Sequence, residues 1–480
     1  MLCLFALLML CAVLLGAFRS LSYIVAFALA LLCVAALWLI VKRLRGLDAL
    51  LERPGAVKTG IILGVFCFVF NLAVILLYRI EPQVDFLTFW LSAVNLGNGQ
   101  ELANAHYLAL FPHIVGYSTF LSGFIRLFGA SPMLAPFVNL GLTVISGLLI
   151  YILCLRWRGL KTAAAAGLLW SVCPSKALFN AQVLSEPLYT CFILLFLLII
   201  TELHLRLSGH RKELWLWALC AIVCGVLLTA INAARPIAAV PLIAFFIWVL
   251  VLRSDELSDR RRWAAWALFA LLLCAGYSMT SRLWQSHVEE VLGEEPAFNY
   301  GYSVCVGFNT DEEGSYGSYS VADMERFQNY YFGEGMSAPE AQERMLEDAK
   351  ARITSGNIDF LKLFPNKIRT LLGNDEAGVY YLSSALNGTE YSVLAVLSNV
   401  YYYFIVLFAL WGAFRLWRFK YNGTALILPM FVLGLSLAHM LVEVAGRYHY
   451  SIIPMLIMLA AFAVDEQFGR DASARSLIEK

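Results

Sequence analysis

Long apolar runs, separated by short polar stretches, dominate the chain. A membrane-spanning helix needs ~20 mostly apolar residues, and about twelve runs approach that length. They begin near Leu2, Leu21, Gly60, Leu134, Thr162, Pro187, Leu214, Ile237, Trp263, Val400, Thr424 and Tyr450. The pattern predicts an all-α polytopic membrane protein with about twelve transmembrane helices. The first run, MLCLFALLML, lacks a basic leader and a small-residue cleavage site, so we interpret it as a span rather than a cleaved signal peptide.

The polar stretches between these runs alternate in charge. Every second stretch is basic: Lys42, Arg43, Arg45, Arg53 and Lys58; Arg156, Arg158 and Lys161; Arg206, Arg211 and Lys212; Arg253 and Arg260 to Arg262; Arg415, Arg418 and Lys420. Basic residues in short loops mark the cytoplasmic side of a membrane. We therefore predict cytoplasmic termini and an outer side formed by the loop 79–133, the links 180–186, 232–236 and 443–449, and a long insert.

Two outer segments are long enough to divide the chain. A membrane domain of residues 1–282 contains the first outer loop, 79–133, whose aromatic stretches TFWLSAV and HYLALFPHIVGYSTFLSGFIRLF predict helices in the membrane interface. Residues 283–399 form an extracytoplasmic insert, and residues 400–480 return as C-terminal spans with a cytoplasmic tail. From Arg282 to Asn399 the chain carries 8 basic and 18 acidic residues, so the insert is acidic.

Local patterns within the insert predict a small mixed structure. The Gly-, Ser- and Tyr-rich stretch from Tyr300 to Ser320 predicts an ordered loop or short strands. Ser337-Ala-Pro-Glu340 is a capping box that opens a helix to about Ile353. The segment NIDFLKLFPNKIRTLLG is amphipathic and is expected to return the chain to the bilayer surface.

Composition narrows the class of protein further. Hydrophobic residues make up 60% of the 480 positions and charged residues 14%, which excludes an ordinary soluble protein. The chain has no P-loop, dinucleotide-binding fingerprint, HExxH, GxSxG or zinc-spaced Cys/His cluster. We therefore assign no metal site, expect no required cofactor and no nucleic-acid partner, and leave a divalent cation requirement open.

Ionisable residues near the outer ends of spans are the candidates for function, because such residues are costly in a membrane. The set is Asp85, His106, His113, Lys176, Glu186, Arg235, His439, Glu443, Arg447 and His449. Asp85, in RIEPQVDFLTFW, either caps the following helix or acts as a general base at the lipid–water boundary. Glu186 either complements a helix start or belongs to a site, and Arg235 either extends to the interface or binds an anion.

The C-terminal candidates are close together in sequence. His439, Glu443 and Arg447 are spaced by four, so a continuous helix would place them on one face and allow a local Glu443–Arg447 ion pair. Alternatively, Arg447 binds a phosphate with Tyr448 and His449, because a guanidinium donates two parallel hydrogen bonds to such an anion. Lys176 would add a positive charge to that phosphate site. His113, Glu186, Tyr448, His449 and Glu443 are predicted to support substrate binding.

Several motifs together resemble a known family. VDFLTFW and YLALFPHIVGY in the first outer loop, LSEPLY and ARPIA at two span starts, and GRYHYSIIPMLIMLAAF near the C-terminus are similar to the C-type, multi-span glycosyltransferases. Within that family, the motifs resemble those of bacterial members similar to protein O-mannosyltransferases and to lipid A aminoarabinose transferases. The resemblance covers about Gly60 to Phe462.

The resemblance implies a sugar donor linked to polyprenyl phosphate, a reaction on the outer face and an active-site role for Asp85. It also implies phosphate binding by Arg447 and Arg235. Phe86 follows Asp85, where protein mannosyltransferases have a second acid, and this departure argues against a protein acceptor and against any shared-carboxylate mechanism. The two spans between Leu2 and Ile40 precede the region of resemblance and have no assigned role.

The sequence thus predicts an inverting glycosyltransferase of a plasma membrane, with bacterial origin favoured by the apolar first span. Its partners would be a polyprenyl-phosphate sugar, membrane lipid and a cell-envelope glycan, lipid or protein acceptor. A secondary transporter is the main alternative, although the long outer loop and the absence of two similar halves disfavour it. A lipid-linked glycan polymerase or ligase is a further alternative.

Overall fold

The computed structural model describes residues 1–43, 54–208, 214–252, 260–317 and 320–464. Within these ranges all regular structure is helical and no strand is formed, as expected for an all-α membrane protein. Some basic residues used to predict the topology, among them Arg45, Arg211 and Arg253, lie outside the described residues.

Thirteen helices precede the insert or lead into it, counted over the described residues. They are α1 (Leu2–Ala17), α2 (Leu21–Arg43), α3 (Gly55–Leu77), α4 (Asp85–Gly97), α5 (Ala105–Leu110), α6 (His113–Phe128), α7 (Leu134–Arg158), α8 (Leu160–Ser171), α9 (Pro174–Phe179), α10 (Glu186–Ser208), α11 (Leu214–Ala234), α12 (Ala239–Ile247) and α13 (Arg260–Leu292). The later helices are α14 (Gly301–Gly307), α15 (Val321–Gln328), α16 (Ala338–Thr354), α17 (Phe360–Leu372), α18 (Ala377–Tyr380), α19 (Gly388–Arg418), α20 (Ile427–Leu441) and α21 (Ile452–Ala461).

Apolar helices occur at the predicted positions, but they differ in length. Among the described residues seven are long and apolar enough to cross a membrane: Gly55–Leu77, Leu134–Arg158, Glu186–Arg206, Trp215–Ala234, Trp263–Leu292, Gly388–Arg418 and Thr424–Leu441. Four more are apolar but shorter: Leu2–Ala17, Leu21–Leu37, Ala239–Val251 and Ile452–Val464. The membrane character is therefore clear, whereas the predicted count of about twelve spans stays a prediction, because four of these eleven described apolar helices are shorter than a full span.

The run that begins near Thr162 does not form one continuous span. Helix α8 ends at Ser171, and α9 begins at Pro174 after an extended Cys173, whose ψ is 109°. A residue before proline is driven out of the helical region, and proline itself cannot donate to the preceding turn. This break places Ser175 and Lys176 on a short helix inside the bundle, where both are buried.

The helical bundle has two ends, and hydrogen bonds between span ends identify one of them. At one end Trp157 Nε1 donates to Thr424 Oγ1 at 2.9 Å, and Trp248 Nε1 donates to the Gly423 carbonyl at 3.2 Å. At this end Arg415 also donates to the Ala463 carbonyl at 2.9 Å. The first loop and the insert connect helices at the opposite end, which we call the insert end.

The first loop forms helices, as predicted, and they pack against the bundle. Ser118 Oγ donates to the Phe89 carbonyl at 3.1 Å, which joins α6 to α4. Helix α6 also approaches α11 closely, because a Cβ on Gly116 would lie 2.0 Å from the Ala233 carbonyl oxygen. This close contact brings the start of α6 beside the end of α11.

The insert is helical in the residues that the structure describes, so the expectation of a mixed insert with short strands is wrong. Helix α14 occupies only the first part of the stretch from Tyr300 to Ser320, and residues 308–317 form turns, as the loop alternative predicts. Gly301 packs directly on α16, where a Cβ would lie 1.8 Å from the Gln342 carbonyl oxygen. Gly301 thus permits helix packing rather than a bend between strands. The predicted helix start is confirmed, because Ser337 and Glu340 form a capping box.

The amphipathic segment forms α17, and its Lys367 is fully buried. The Lys367 ammonium donates to the carbonyls of Gly307 at 2.8 Å, Met440 at 3.1 Å and Val442 at 2.8 Å. Two of these carbonyls lie at the C-terminal end of α20, where backbone acceptors lack helical partners and a positive charge is favoured. Burial lowers the pKa of Lys367 to about 7.

Candidate active site

Residues from four separate parts of the chain meet at the insert end. They are Asp85 at the start of α4, Glu186 at the start of α10, Arg235 just after α11, and Arg447 in a 3₁₀ turn between α20 and α21. Glu186, Arg235 and Arg447 lie where an apolar helix begins or ends, and Asp85 begins a helix of the first loop, so all four lie at the edge of the apolar bundle. We call this group, with Tyr448 and Glu443, the Arg447 site.

Asp85 and Arg447 are in direct contact. Arg447 Nη2 donates to Asp85 Oδ2 at 2.8 Å, with 14% of the arginine side chain and 48% of the aspartate side chain exposed. The side chain of Asp85 makes no capping hydrogen bond to α4. The carboxylate is therefore oriented by Arg447 rather than by the helix start.

The backbone before Asp85 is strained. Val84 has φ = 49°, a conformation that is rare for a β-branched residue. Such strain persists only where surrounding structure holds it, and it is frequent at functional sites. Here it precedes the aspartate that turns toward Arg447.

Arg447 is enclosed by aromatic rings. Its guanidinium carbon lies 5.7 Å from the ring centre of Phe86, 5.6 Å from that of Tyr381 and 5.6 Å from that of Tyr448. These distances are within the range of cation–π attraction. The buried Nε of Arg447 has no hydrogen-bond partner among the described residues, so one donor of the guanidinium is left unpaired within the described protein.

The second arginine of the site stacks on the neighbouring tyrosine. The guanidinium carbon of Arg235 lies 4.0 Å from the ring centre of Tyr448. Tyr448 in turn donates from its hydroxyl to Glu443 Oε1 at 3.0 Å, and its ring stacks on His439 at 5.1 Å. Tyr448 therefore separates Arg235 from Glu443 while contacting both arginines.

Glu443 does not share a helical face with Arg447, because α20 ends at Leu441 and the chain then becomes extended. The alternative of a local helical ion pair is therefore wrong, and the partner of the Glu443 carboxylate is the Tyr448 hydroxyl. Burial raises the pKa of Glu443, although the Tyr448 hydrogen bond, Arg447 and Arg235 oppose that rise.

Glu186 and His113 complete the surroundings of the two arginines. Glu186 is 3% exposed, its charge acts on both Arg235 and Arg447, and its carboxylate makes no hydrogen bond within the described part of the chain. Burial, together with the positive charges of Arg235 and Arg447, lowers the pKa of His113 to about 3, against the opposing charge of Asp85. His113 is therefore neutral at neutral pH.

Lys176 and His449, predicted for the phosphate site, lie elsewhere, in a buried cluster around Asp375. His449 Nε2 lies 2.9 Å from Asp375 Oδ1, Ser175 Oγ donates to the same oxygen at 2.8 Å, and Lys176 Nζ lies 3.6 Å from it. We call these four residues the Asp375 cluster. Burial alone would raise the pKa of Asp375, but Lys176, His449 and Ser175 hold it below its usual value.

The aromatic residues between the two groups separate them. Phe179 packs against Tyr450 at 5.6 Å and against Tyr381 at 6.3 Å between ring centres. The Lys176 ammonium lies 4.3 Å from the centre of the Tyr450 ring. With 1% of its side chain exposed, Lys176 has no open path to a ligand at Arg447.

His106, the remaining member of the candidate set, belongs to a surface contact. His106 Nδ1 lies 2.7 Å from Glu294 Oε1 and 2.9 Å from the Tyr331 hydroxyl, which links α5 to the insert. Among the described residues no group of three or more His, Cys, Asp or Glu side chains is arranged to hold a metal ion.

The arrangement offers two chemical capabilities. Two guanidinium groups that both contact Tyr448, one with an unpaired donor, can bind a phosphate and stabilise charge that develops on it. The Asp85 carboxylate, at the same end of the bundle, can accept a proton from a hydroxyl. Asp375 was not found from the sequence, because it is one of 18 acids in the region from Arg282 to Asn399 and its partners lie far away along the chain.

Comparison with protein-family models and with curated proteins finds no match. The similar solved structures include the following three. The archaeal oligosaccharyltransferase AglB from Archaeoglobus fulgidus, in complex with an inhibitory peptide and a dolichol-phosphate, is 12% identical, with a TM-score of 0.47 over 87% of this chain and 51% of that chain. This chain thus spans about half the length of AglB.

The other two are structures of ArnT from Cupriavidus metallidurans. The one bound to undecaprenyl phosphate is 10% identical, with a TM-score of 0.34 over 87% of this chain and 79% of that chain. The apo structure is 12% identical, with a TM-score of 0.34 over 87% and 78%. These structures fall in the family that the sequence motifs resemble. Sequence identities and TM-scores this low do not show what this chain does. Its function is therefore inferred from the chemistry of its own residues.

Proposed function

We propose that this chain is a membrane glycosyltransferase that moves a sugar from a polyprenyl-phosphate donor to an acceptor hydroxyl. The observation that carries the proposal is the contact between Asp85 and Arg447 beside a second arginine, at the end of an apolar helical bundle. A donor of this class is half lipid, so its tail requires the bilayer and its phosphate requires cationic groups at the boundary.

In the proposed reaction the bond between the sugar and the phosphate oxygen breaks, and its electron pair stays on the phosphate. Arg447 and Arg235 bind that phosphate and lower the free energy of the charge on the leaving group. Arg447 Nε makes no hydrogen bond within the described residues, so the guanidinium keeps an unpaired donor while its Nη2 contacts Asp85.

The acceptor oxygen attacks the sugar carbon from the opposite side, which inverts that centre, and its proton passes to the Asp85 carboxylate. The partial exposure of Asp85 favours this role, because an acceptor can reach it from outside the bundle. Glu186 and Glu443 supply hydrogen-bond acceptors for the sugar hydroxyls, and neutral His113 and Tyr448 shape the pocket.

The proposal places the reaction on the outer face of a bacterial plasma membrane, with a cell-envelope glycan, lipid or protein as the acceptor. Its support is the alternation of basic loops in the sequence, which assigns the insert end to the outside. Cysteine labelling from either side of intact cells, at an exposed insert position such as Leu361 (89% exposed), tests this orientation.

The test of function uses purified protein in lipid nanodiscs with a panel of polyprenyl-phosphate sugars. Release of polyprenyl phosphate is measured for wild type, Asp85→Asn and Arg447→Ala, with the exposed neighbours Glu81→Gln and Arg79→Ala as matched controls. We expect both site variants to lower the rate of release by about 100-fold or more, to a residual rate that is still measurable, and both controls to retain the wild-type rate. Undiminished release by Asp85→Asn would refute the base assignment.

The same preparation separates the alternative functions. Release only from pyrophosphate-linked donors would indicate a lipid-linked glycan polymerase or ligase. Movement of an unmodified solute into sealed vesicles, without release from any donor, would indicate a transporter.

A further inference from the structure

We infer that Asp375 is a positioning residue for Arg447, and that helix α1 supports it from the other side. The inference rests on the proposed function for its catalytic consequence. Its structural basis is a chain of contacts from α1, through the turn that carries Asp375, to the 3₁₀ turn that carries Arg447.

The first link joins Asp375 to the Arg447 turn. His449 lies two residues after Arg447 in the same turn, Gly446–His449. Its Nδ1 donates to the Leu371 carbonyl at 2.6 Å, and its Nε2 lies 2.9 Å from Asp375 Oδ1. Because both ring nitrogens are held, the imidazole fixes one end of the turn, and that end sets the direction from which Arg447 enters the site.

Arg447 needs such an anchor, because its only ion-pair partner among the described residues is partly exposed to solvent and to competing ligands. Asp85 is about half exposed, whereas Asp375 and His449 are 0% and 1% exposed. A substrate phosphate would also compete with Asp85 for the guanidinium. The buried anchor keeps Arg447 in place when that contact changes.

The second link holds the turn from Leu372 to Asp375. Tyr402 donates from its hydroxyl to the Leu372 carbonyl at 2.6 Å, and Tyr403 donates to the Gly373 carbonyl at 3.0 Å. The Asp375 backbone N–H donates to Asn399 Oδ1 at 2.9 Å. All three partners lie on α19, so this helix fixes the backbone of the turn.

The third link is α1. Gly16 lies directly on the backbone of Gly373, because a Cβ on Gly16 would be 1.8 Å from the Gly373 carbonyl oxygen. Helix α2 packs on α19 beside it, with Phe27 against Tyr403 at 5.7 Å. The two N-terminal helices, which have no counterpart in the sequence resemblance, thus close the side of the turn that faces away from the site.

Asp375 is enclosed together with its cationic partner, which rules out direct contact with substrate. Lys176 Nζ and Asp375 Oδ2 are both buried and make no hydrogen bond within the described part of the chain. The charge attraction between Lys176 and Asp375 holds the cluster together, although these two atoms form no hydrogen bond within the described residues. Asp375 therefore acts through His449 and Arg447.

The test is a double-mutant cycle between Asp375→Asn and Arg447→Ala, measured as release of polyprenyl phosphate. Asparagine keeps the shape but removes the charge, and misplacement of a binding group by about 1 Å can lower turnover about 100-fold. We expect Asp375→Asn to lower kcat/KM for the donor by about that factor and to have no further effect in the Arg447→Ala background. Additive losses would overturn the inference.

Two controls separate positioning from a loss of folding. Asp323 is another buried insert acid, bound to Arg352 at 2.7 Å, and Asp323→Asn should show no coupling to Arg447→Ala. Gly16→Val should reproduce the effect of Asp375→Asn, whereas Gly141→Val, in a helix with open space around it, should not. Equal effects of the two glycine variants would overturn the supporting role of α1.

A ligand-free measurement distinguishes failure of this inference from failure of the proposed function. In an Asp85→Cys/Arg447→Cys variant, a short bis-thiosulfonate crosslinker should join the two positions efficiently. Adding Asp375→Asn should lower the yield several-fold, whether or not any donor is turned over. An unchanged yield would overturn the positioning role even if the glycosyltransferase activity is established.

Discussion

Arg447 and Asp85, separated by 362 positions in the sequence, share a hydrogen bond of 2.8 Å at the insert end of the bundle. The contact joins the first loop to the last turn before α21. The geometry of the site therefore depends on the packing of nearly the whole chain. We expect Asp85 to act in turnover and Arg447 in binding of the donor.

For Asp85, the expected effect of Asp85→Asn is on turnover rather than on donor binding. Asparagine can still accept a hydrogen bond from Arg447 but cannot take a proton from the acceptor. Loss of a general base lowers rates by about 10²–10⁴-fold. Titration with undecaprenyl phosphate should give a dissociation constant within about threefold of wild type, while multiple-turnover release falls by at least 100-fold.

For Arg447, substitution by lysine should weaken binding even though the charge is kept. A lysine ammonium cannot present a planar pair of donors or lie flat among Phe86, Tyr381 and Tyr448. Hydrogen bonds to charged groups contribute about 1.5–3 kcal/mol, so we expect affinity for polyprenyl phosphate to fall about 10- to 100-fold. Arg79→Lys, at an exposed position of the same end, is the control, and equal losses in both would contradict a specific role.

Glu443 predicts a dependence of stability on pH. Its pKa is raised in the folded protein, so between its ordinary and raised values the folded state binds more protons than the unfolded state. Stability therefore falls as pH rises through that window, and the loss is complete above it. Glu443→Gln keeps the acceptor for Tyr448 and removes the buried charge, so its melting temperature should exceed that of wild type at pH 7.5 by about 1 °C or more.

At pH 4, below the ordinary glutamate pKa, the carboxyl is mostly protonated in both states, so most of the advantage of Glu443→Gln should be lost. Thermal unfolding in the same detergent at the two pH values measures this, with the exposed Glu81→Gln as control. A Glu443→Gln variant that is less stable than wild type at pH 7.5 would show that the ionised carboxylate stabilises the fold.

The contact between α6 and α11 gives a prediction about packing. Gly116→Val would place side-chain atoms against the Ala233 carbonyl, and overpacking of this kind costs about 1–3 kcal/mol. Gly123→Val, on the same helix with no atom near its Cβ, should unfold close to the wild-type temperature. Because the contact brings His113 beside Arg235, Gly116→Val should also weaken polyprenyl-phosphate binding.

The sequence located the ends of spans well, and most of the site lies there. Asp85, Glu186, Arg235 and Arg447 could be selected because a charge beside an apolar run is unusual, and alternation of basic loops placed all four on one side. Which of them touch was not predictable, since side chains from distant segments meet only through helix packing.

The structure differs from the sequence-based predictions where one local sequence pattern is compatible with two structures. The Gly-rich stretch after Tyr300 was expected to form strands or a loop, but Gly301 serves helix contact instead. Lys176 was assigned to the phosphate because it follows an apolar run, yet the break before Pro174 turns it inward to Asp375. The partner that decides this, Asp375, has no local signal.

The contact between Gly16 and Gly373 has a consequence for biogenesis. Helix α1 is synthesised long before the turn on which it packs, and residues 283–399 must reach the insert end before the two can meet. Until then the end of α1 does not contact the Gly373 backbone, and the turn that holds Asp375 is not covered by α1. Completion of the site is therefore one of the last events in the assembly of the chain, and a defect in a late span would leave an early helix undocked and open to membrane quality control.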